Sequence, residues 1–217
     1  MRLPKSLWAG GLLLCGIIAL SLLLVQLQHA AQRENATKQK LPVLGQVADF
    51  ALTNQNNQPV TLNELRGHIW IADIIFTTCP GPCRMMTREM KDLQDALPDR
   101  SEPKLISLTT FPDMDTPPIL KAYAEKAGAD LNRWSFLTGS KRQIFELAND
   151  SLKLAAQDKP PQDRKSANDL FIHSTYLVLV DRQAKLRGVY QTVGEGVDFN
   201  QVKRDILKDV AQLQREG

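Results

Sequence analysis

An α/β fold of three layers, with helices packed on both faces of a largely parallel sheet, is the architecture this sequence predicts. Two patterns carry the prediction. Short β-branched apolar runs alternate with segments whose apolar residues recur at helical spacing. The alternation closes with two adjacent strands and a long amphipathic helix, giving the order hairpin, β, α, β, α, β, α, ββ, α. A third observation adds an element outside this frame: a charge-free stretch near the start that is long enough to be a transmembrane helix.

That stretch, residues 7–27, is 21 positions long and at helical rise matches a hydrocarbon core of about 30 Å. Arg2 and Lys5 precede it. The positive-inside rule then leaves residues 1–6 in the cytoplasm, makes 7–28 an anchor and sends the remainder across. A cleaved signal would have an apolar region of about 7–15 residues with small residues at its cut. Gln28-His29-Ala30 meets that poorly, and Leu12-Leu13-Leu14-Cys15 resembles a lipoprotein cleavage site only faintly, so the anchor is expected to stay. Residues 29–43 are polar and read as a linker, and 44–217 as the folded domain.

Within that domain, Phe50-Ala51-Leu52-Thr53 and Pro59-Val60-Thr61-Leu62 flank an Asn-rich turn and form an N-terminal hairpin. Residues 63–67 are a short turn, 68–76 a buried strand, and the helix after it runs to about Leu97. Residues 104–110 are a second strand. Thr116 and Pro117 open a helix through Ala127 with Ile119, Leu120, Tyr123 and Ala124 as its apolar stripe. A strand over 134–138 and a helix over 141–148 follow. Residues 156–168, with Pro160-Pro161 and several charges, read as a mobile loop. Two strands, 174–180 and 185–191, turn at Asp181-Arg182, and 198–214 is the last helix. The formal net charge is +3, of which Arg2 and Lys5 carry two, so the nearly neutral domain makes no electrostatic case for nucleic acid.

Chemistry concentrates where the first long strand meets the first long helix, at Phe76-Thr77-Thr78-Cys79-Pro80-Gly81-Pro82-Cys83. The pattern delivers two cysteines to the first turn of a helix, with Pro80 suited to the first helical position. Free N–H groups and the helix dipole there favour thiolate. Two thiols four apart can close a disulfide or grip one soft metal ion. Cys15, inside the apolar stretch, is not expected to join them. A closing ββα with Cys at the head of the first long helix is the thioredoxin arrangement, so the fold is read as a thioredoxin-like three-layer sandwich. Asp73 lies six residues before Cys79 on the buried strand. Thioredoxins carry a buried acid at that distance that aids proton transfer to the second cysteine; capping or pairing within the fold is the alternative.

Three histidines compete for a ligand role. His29 sits at the expected membrane exit and His68 opens a strand. His173 precedes the strand 174–180, and in a thioredoxin-like fold the loop before that strand lies beside the cysteine-bearing helix. Two thiolates and an imidazole suit Cu(I), whereas structural zinc normally takes four protein ligands. Met85, Met86 and Met90 follow Cys83 at a spacing that suits core packing better than ligation.

The domain resembles the Sco/SenC family of membrane-anchored, thioredoxin-like copper chaperones. The resemblance rests on Phe76-Thr77-Thr78-Cys79-Pro80 through Cys83, Asp115-Thr116-Pro117, Trp134 with Leu137-Thr138-Gly139, and His173 followed by strand and Asp181. It implies a copper ion held by Cys79, Cys83 and His173, a domain on the periplasmic side of a bacterial inner membrane, and a role in building the copper centre of cytochrome c oxidase, with the copper-bearing oxidase subunit or a similar copper protein as partner. Arg84 stands where family members commonly carry proline, and Gly81-Pro82 before the second cysteine is similar to redox-active thioredoxins. A second function is therefore carried forward: a thiol–disulfide oxidoreductase in which Cys79 and Cys83 are the redox pair and reduce cysteines of a copper-site target. A peroxidase would need Cys79 alone.

Overall fold

The structure, a computed structural model, describes residues 20–28, 40–79, 81–97, 102–166 and 169–216. Residues 20–28 are helical. The rest of the expected anchor, most of the linker, Cys15 and His29 lie outside the described residues. Among the described residues, no helix is long and apolar enough to cross a membrane. The chain divides into two units, Met1–Lys40 and Leu41–Gly217, and the second carries the fold.

Its elements are β1 (Gly45–Gln46), β2 (Ala51–Asn54), β3 (Pro59–Thr61), α1 (Leu62–Leu65), β4 (Trp70–Ile75), α2 (Cys83–Ala96), β5 (Lys104–Thr109), α3 (Pro117–Ala127), β6 (Trp134–Thr138), α4 (Lys141–Glu146), β7 (Ala156–Asp158), β8 (Phe171–His173), β9 (Tyr176–Val180), β10 (Lys185–Gln191) and α5 (Phe199–Glu216). The main sheet runs β1-β10-β9-β4-β5-β6-β2-β3. Only β4–β5 and β5–β6 pair in parallel; the other joins are antiparallel. The largely parallel sheet expected from alternation is thus corrected to a mixed one. Long helical crossovers join the three central strands in parallel. The hairpins β2–β3 and β9–β10 turn back antiparallel through short loops, and each also docks antiparallel on the central strands, β2 on β6 and β9 on β4.

Period-two alternation splits the core into two. Trp70, Ala72 and Ile74 of β4 join Ile106, Leu108, Leu137, Val178 and Val180 on one face. Ile71 and Ile75 join Leu105, Trp134, Phe136, Leu177 and Leu179 on the other, under α2, α3 and α5, and this second cluster includes both cysteines. Trp134 and Phe136 stack there at 4.8 Å. Each such fully buried Ile or Leu contributes roughly 1.5–3 kcal/mol relative to exposure.

Several elements sharpen the sequence reading. The turn expected at 63–67 overlaps the single helical turn α1, where Glu64 accepts from the Thr61 N–H at 2.7 Å. α3 stops where Gly128 turns left-handed at φ 71. α4 runs on into a π turn, Leu147–Ser151. The segment expected as a mobile loop begins with a strand, β7, which forms a two-stranded ribbon with β8 and pairs Ala156 with His173. Its charges do not oppose this, because Lys159 meets Asp169 at 2.7 Å and Lys141 meets Asp158.

The N-terminal edge of the unit is fastened by Arg187. The register of β10 slips between Leu186 and Gly188, a bulge that frees Arg187 from the ladder. Its buried guanidinium donates to Asp181 at 2.7 Å, to Glu216 at 2.8 Å, and to the carbonyls of Leu41 and Pro42.

Candidate metal centre

β4 ends at Ile75 and the chain enters a turn. Cys79 belongs to that turn and donates its N–H to the Phe76 carbonyl at 3.2 Å. α2 begins only at Cys83, after Pro82. The expectation of both thiols in the first helical turn therefore holds for Cys83 alone. The reason is local: a residue before proline is biased out of the α region, and both Cys79 and Gly81 precede prolines. Pro80, expected as the first helical residue, lies outside the described residues. Cys79 and Cys83 are both buried, and no disulfide joins them.

The third group arrives from the far end of the sequence. His173 closes β8, and its position is fixed by the ribbon pairing to Ala156 and by the Ser174 N–H donating to the Ala155 carbonyl at 2.9 Å. His173 Nε2 stands 3.4 Å from Cys83 Sγ, and Nδ1 is 3.1 Å from the Ser174 carbonyl. A carbonyl can only accept, so Nδ1 donates to it, which leaves Nε2 facing the sulfurs as the nitrogen available to a metal. The ligand atoms of Cys79, Cys83 and His173 all lie within 4.8 Å of one another. His68 takes no part; its Nδ1 faces Glu102 at 3.4 Å. Met86 and Met90 are core residues as expected, but Met85, expected with them, is 48% exposed, because its place on α2 faces away from the sheet.

The two sulfurs divide one proton between them. A hydrogen bond from Cys83 pulls the Cys79 thiol far below its ordinary range; burial opposes this, while His173 and the N–H groups of Cys83 and Gly81 assist. The Gly81 N–H reaches Cys79 Sγ at 3.4 Å. The same contact with Cys79, together with burial, pushes Cys83 up. Cys79 is therefore the more acidic thiol of the pair and Cys83 the one that keeps its proton longer. Burial disfavours a charged His173, but the Cys79 sulfur and the Ser174 carbonyl more than offset it and raise its pKa.

Asp73 lies beneath this group on β4, fully buried, opposite Ser107 of β5. Neither carboxyl oxygen has a regular hydrogen bond. Burial pushes the Asp73 carboxyl up to about 7; a weak contact with Ser107 and the field of His173 work against this, and Glu89 adds to it. The capping or pairing expected as one alternative for Asp73 is not what the structure shows.

Sequence reasoning did not single out the walls. Phe76 meets the His173 ring edge-on at 5.7 Å and Phe171 at 5.2 Å, and Phe111 stands 5.3 Å from Phe171. These rings form an apolar wall beside the imidazole. Asp115, part of the quoted Asp115-Thr116-Pro117 string, is fully buried and accepts from the Thr77 N–H at 3.1 Å, from the Thr77 hydroxyl and from Thr109. It fastens the turn that carries Cys79 to the end of β5. A polar string opening a helix was the available signal, but it reads equally as a cap.

Comparison with known proteins gives a consistent result. The family model SCO1/SenC matches residues 39–208. The SCO1 protein homolog of Bacillus subtilis (strain 168) is 35% identical over 173 residues, 79% of this chain and 84% of that protein. A protein of Stutzerimonas stutzeri, described as a candidate copper-binding protein, is 31% identical over 150 residues, 68% and 70% of the two chains. Among solved structures, BsSco, a member of the Sco family of cytochrome c oxidase assembly proteins in which a disulfide switch was identified, superposes with a TM-score of 0.64 at 32% identity, covering 80% of this chain and 98% of that one.

Proposed function

This chain belongs to the SCO1/SenC family, and on that premise we propose that it is a copper chaperone tethered to a bacterial inner membrane, with the folded unit in the periplasm. It carries one copper ion on Cys79, Cys83 and His173 and passes it toward the copper centre of cytochrome c oxidase. One observation carries the reading: two sulfurs and an imidazole nitrogen, brought from 90 residues apart to within 4.8 Å. Soft thiolates with one imidazole favour Cu(I), and the aromatic wall favours a low coordination number by keeping water out. Copper displaces the Cys83 proton, so loading releases protons. The ion leaves by stepwise exchange for cysteines of the acceptor. The charge-free stretch behind Arg2 and Lys5 supports the tether.

The test is copper content and affinity of the purified chain, reduced and oxidised, beside His173→Ala. Stoichiometric copper is expected only when the pair is reduced, with weaker binding by the variant. A reduced protein that takes up no copper, or a variant that binds as well as the parent, would overturn the reading.

The division of charge between the sulfurs supports a second activity. The Cys79 thiolate attacks a disulfide in a target, one target sulfur leaves as thiolate, and a mixed disulfide forms. Cys83 then loses its proton, for which Asp73 beneath it is a suitable acceptor, and displaces the second target sulfur. Two electrons pass to the target and a Cys79–Cys83 disulfide remains. Cys83→Ser is expected to trap the mixed disulfide; failure to capture any partner in either redox state counts against this activity.

A further inference from the structure

One side of the thiol turn opens into a cleft of about 340 Å³ between α2 and α3 that plays no part in holding the metal. Arg84, Arg88 and Lys91 project into it from α2 and Lys126 from α3, with Asp92 the one carboxylate lining it. Lys91 is engaged by Asp95 at 2.6 Å. Arg84, Arg88 and Lys126 have no counter-ion among the described residues. The cleft floor is satisfied: the Thr87 hydroxyl donates to the Cys83 carbonyl at 2.9 Å and bonds the Tyr123 hydroxyl at 2.8 Å. The unmet capacity of the cleft is therefore positive charge.

This arrangement works against the fold. Arg84 and Arg88 are like charges four apart on one helix face, which repel. Arg84 also sits in the first turn of α2, where the helix dipole disfavours a cation. Both costs disappear if an anion occupies the cleft.

We infer that this cleft seats an acidic, extended peptide segment of the partner that meets Cys79 and Cys83. The shape selects a peptide over a single small anion. Residues 84 to 92 advance about 12 Å along the helix, the length of about four extended residues. The cations recur about every turn, roughly 5–6 Å, close to the spacing of about 7 Å between side chains on one face of an extended chain. Thr77, two residues before Cys79, also lines the cleft, so a segment lying in it emerges beside the thiols. The inference rests on the chaperone reading for why a partner comes to this site at all.

The experiment uses the full-length chain in zwitterionic detergent with fluorescein-labelled hexaglutamate, hexaglutamine as the neutral control, and anisotropy as the readout. Copper loading is measured on the same samples. Hexaglutamate is expected to bind and hexaglutamine not; Arg88→Glu with Lys126→Glu weakens binding by about tenfold or more, as does raising salt from about 0.05 to 0.5 M. The milder pair Arg88→Gln with Lys126→Gln gives a smaller loss in the same direction and guards against misfolding. All variants still load copper. Equal binding of the two peptides, unchanged affinity in both variant pairs, or tighter binding of inorganic polyphosphate than of hexaglutamate overturns the assignment. A chain that loads copper yet ignores hexaglutamate refutes the cleft alone, whereas one that binds hexaglutamate but takes no copper refutes the chaperone reading.

Discussion

Two of the places where acids leave solvent in this domain, the bulge of β10 and the floor beneath the thiols, are treated oppositely. At the bulge in β10, Asp181 and Glu216 both meet Arg187, whose guanidinium also reaches the carbonyls of Leu41 and Pro42. Under the thiols, Asp73 has no such partner and its carboxyl rises to about 7. The paired acids close the fold by joining the start of the domain to its last helix. The unpaired acid favours the fold only while it holds a proton. A buried carboxylate is stabilising only where its partner is built in; without one, burial keeps it neutral.

The sharpest way to break this contrast is to remove the cation from the first group. Arg187→Ala leaves Asp181 buried and uncompensated and is expected to cost about 3–5 kcal/mol in denaturant unfolding. Copper affinity of the fraction that stays folded should not change. The converse substitution is at the site. His173→Ala should weaken copper binding by at least about a hundredfold, since even the partners behind metal ligands are worth about 10–100-fold, while moving the unfolding midpoint little. A competition titration against a Cu(I) chelator measures it.

The acids themselves should show opposite pH dependence. Asp73 has a raised folded pKa, so its contribution is fully present below the unfolded carboxyl value and is lost as pH rises through about 7. In the metal-free, reduced chain, Asp73→Asn should remove that decline, a difference of roughly 1–3 kcal/mol between pH 5 and pH 9. Glu216 behaves the other way. Burial opposes its charge, but Arg187, the Leu41 N–H and Gln212 overcome this and hold it below the usual carboxylate range. Its contribution is present above the unfolded value and lost as pH falls through the folded one. Glu216→Gln should cost about 1 kcal/mol or less at pH 7 and nothing near pH 3, read from the same unfolding curves.

The aromatic walls and Asp115 show why part of the site was not legible beforehand. Cys79, Cys83 and His173 stand out as residue types with little reason to occupy an ordinary turn or strand end. Phe76, Phe111 and Phe171 look like any core phenylalanine until three separate segments bring their rings together. The cleft between α2 and α3 was hidden for the same reason. Arg84 stands out in the sequence only as a departure from the family's proline and Arg88 not at all, and only the packing of α3 encloses them with Lys126.

Local pattern alone determined the alternation of strands and helices, the three central strands, the boundaries of α3 and the candidate residues Cys79, Cys83 and His173, because periodicity, proline placement and donor softness are properties of neighbouring residues. Tertiary structure decided which joins run antiparallel, that 156–158 and 171–173 form a ribbon, that Arg187 leaves its ladder to hold Leu41 and Pro42 against Glu216, and that Asp73 stays without a partner. Each of these depends on contacts between residues far apart in the sequence, whose pairing is chosen by packing and by the competition for buried hydrogen bonds rather than by any preference of the segment itself.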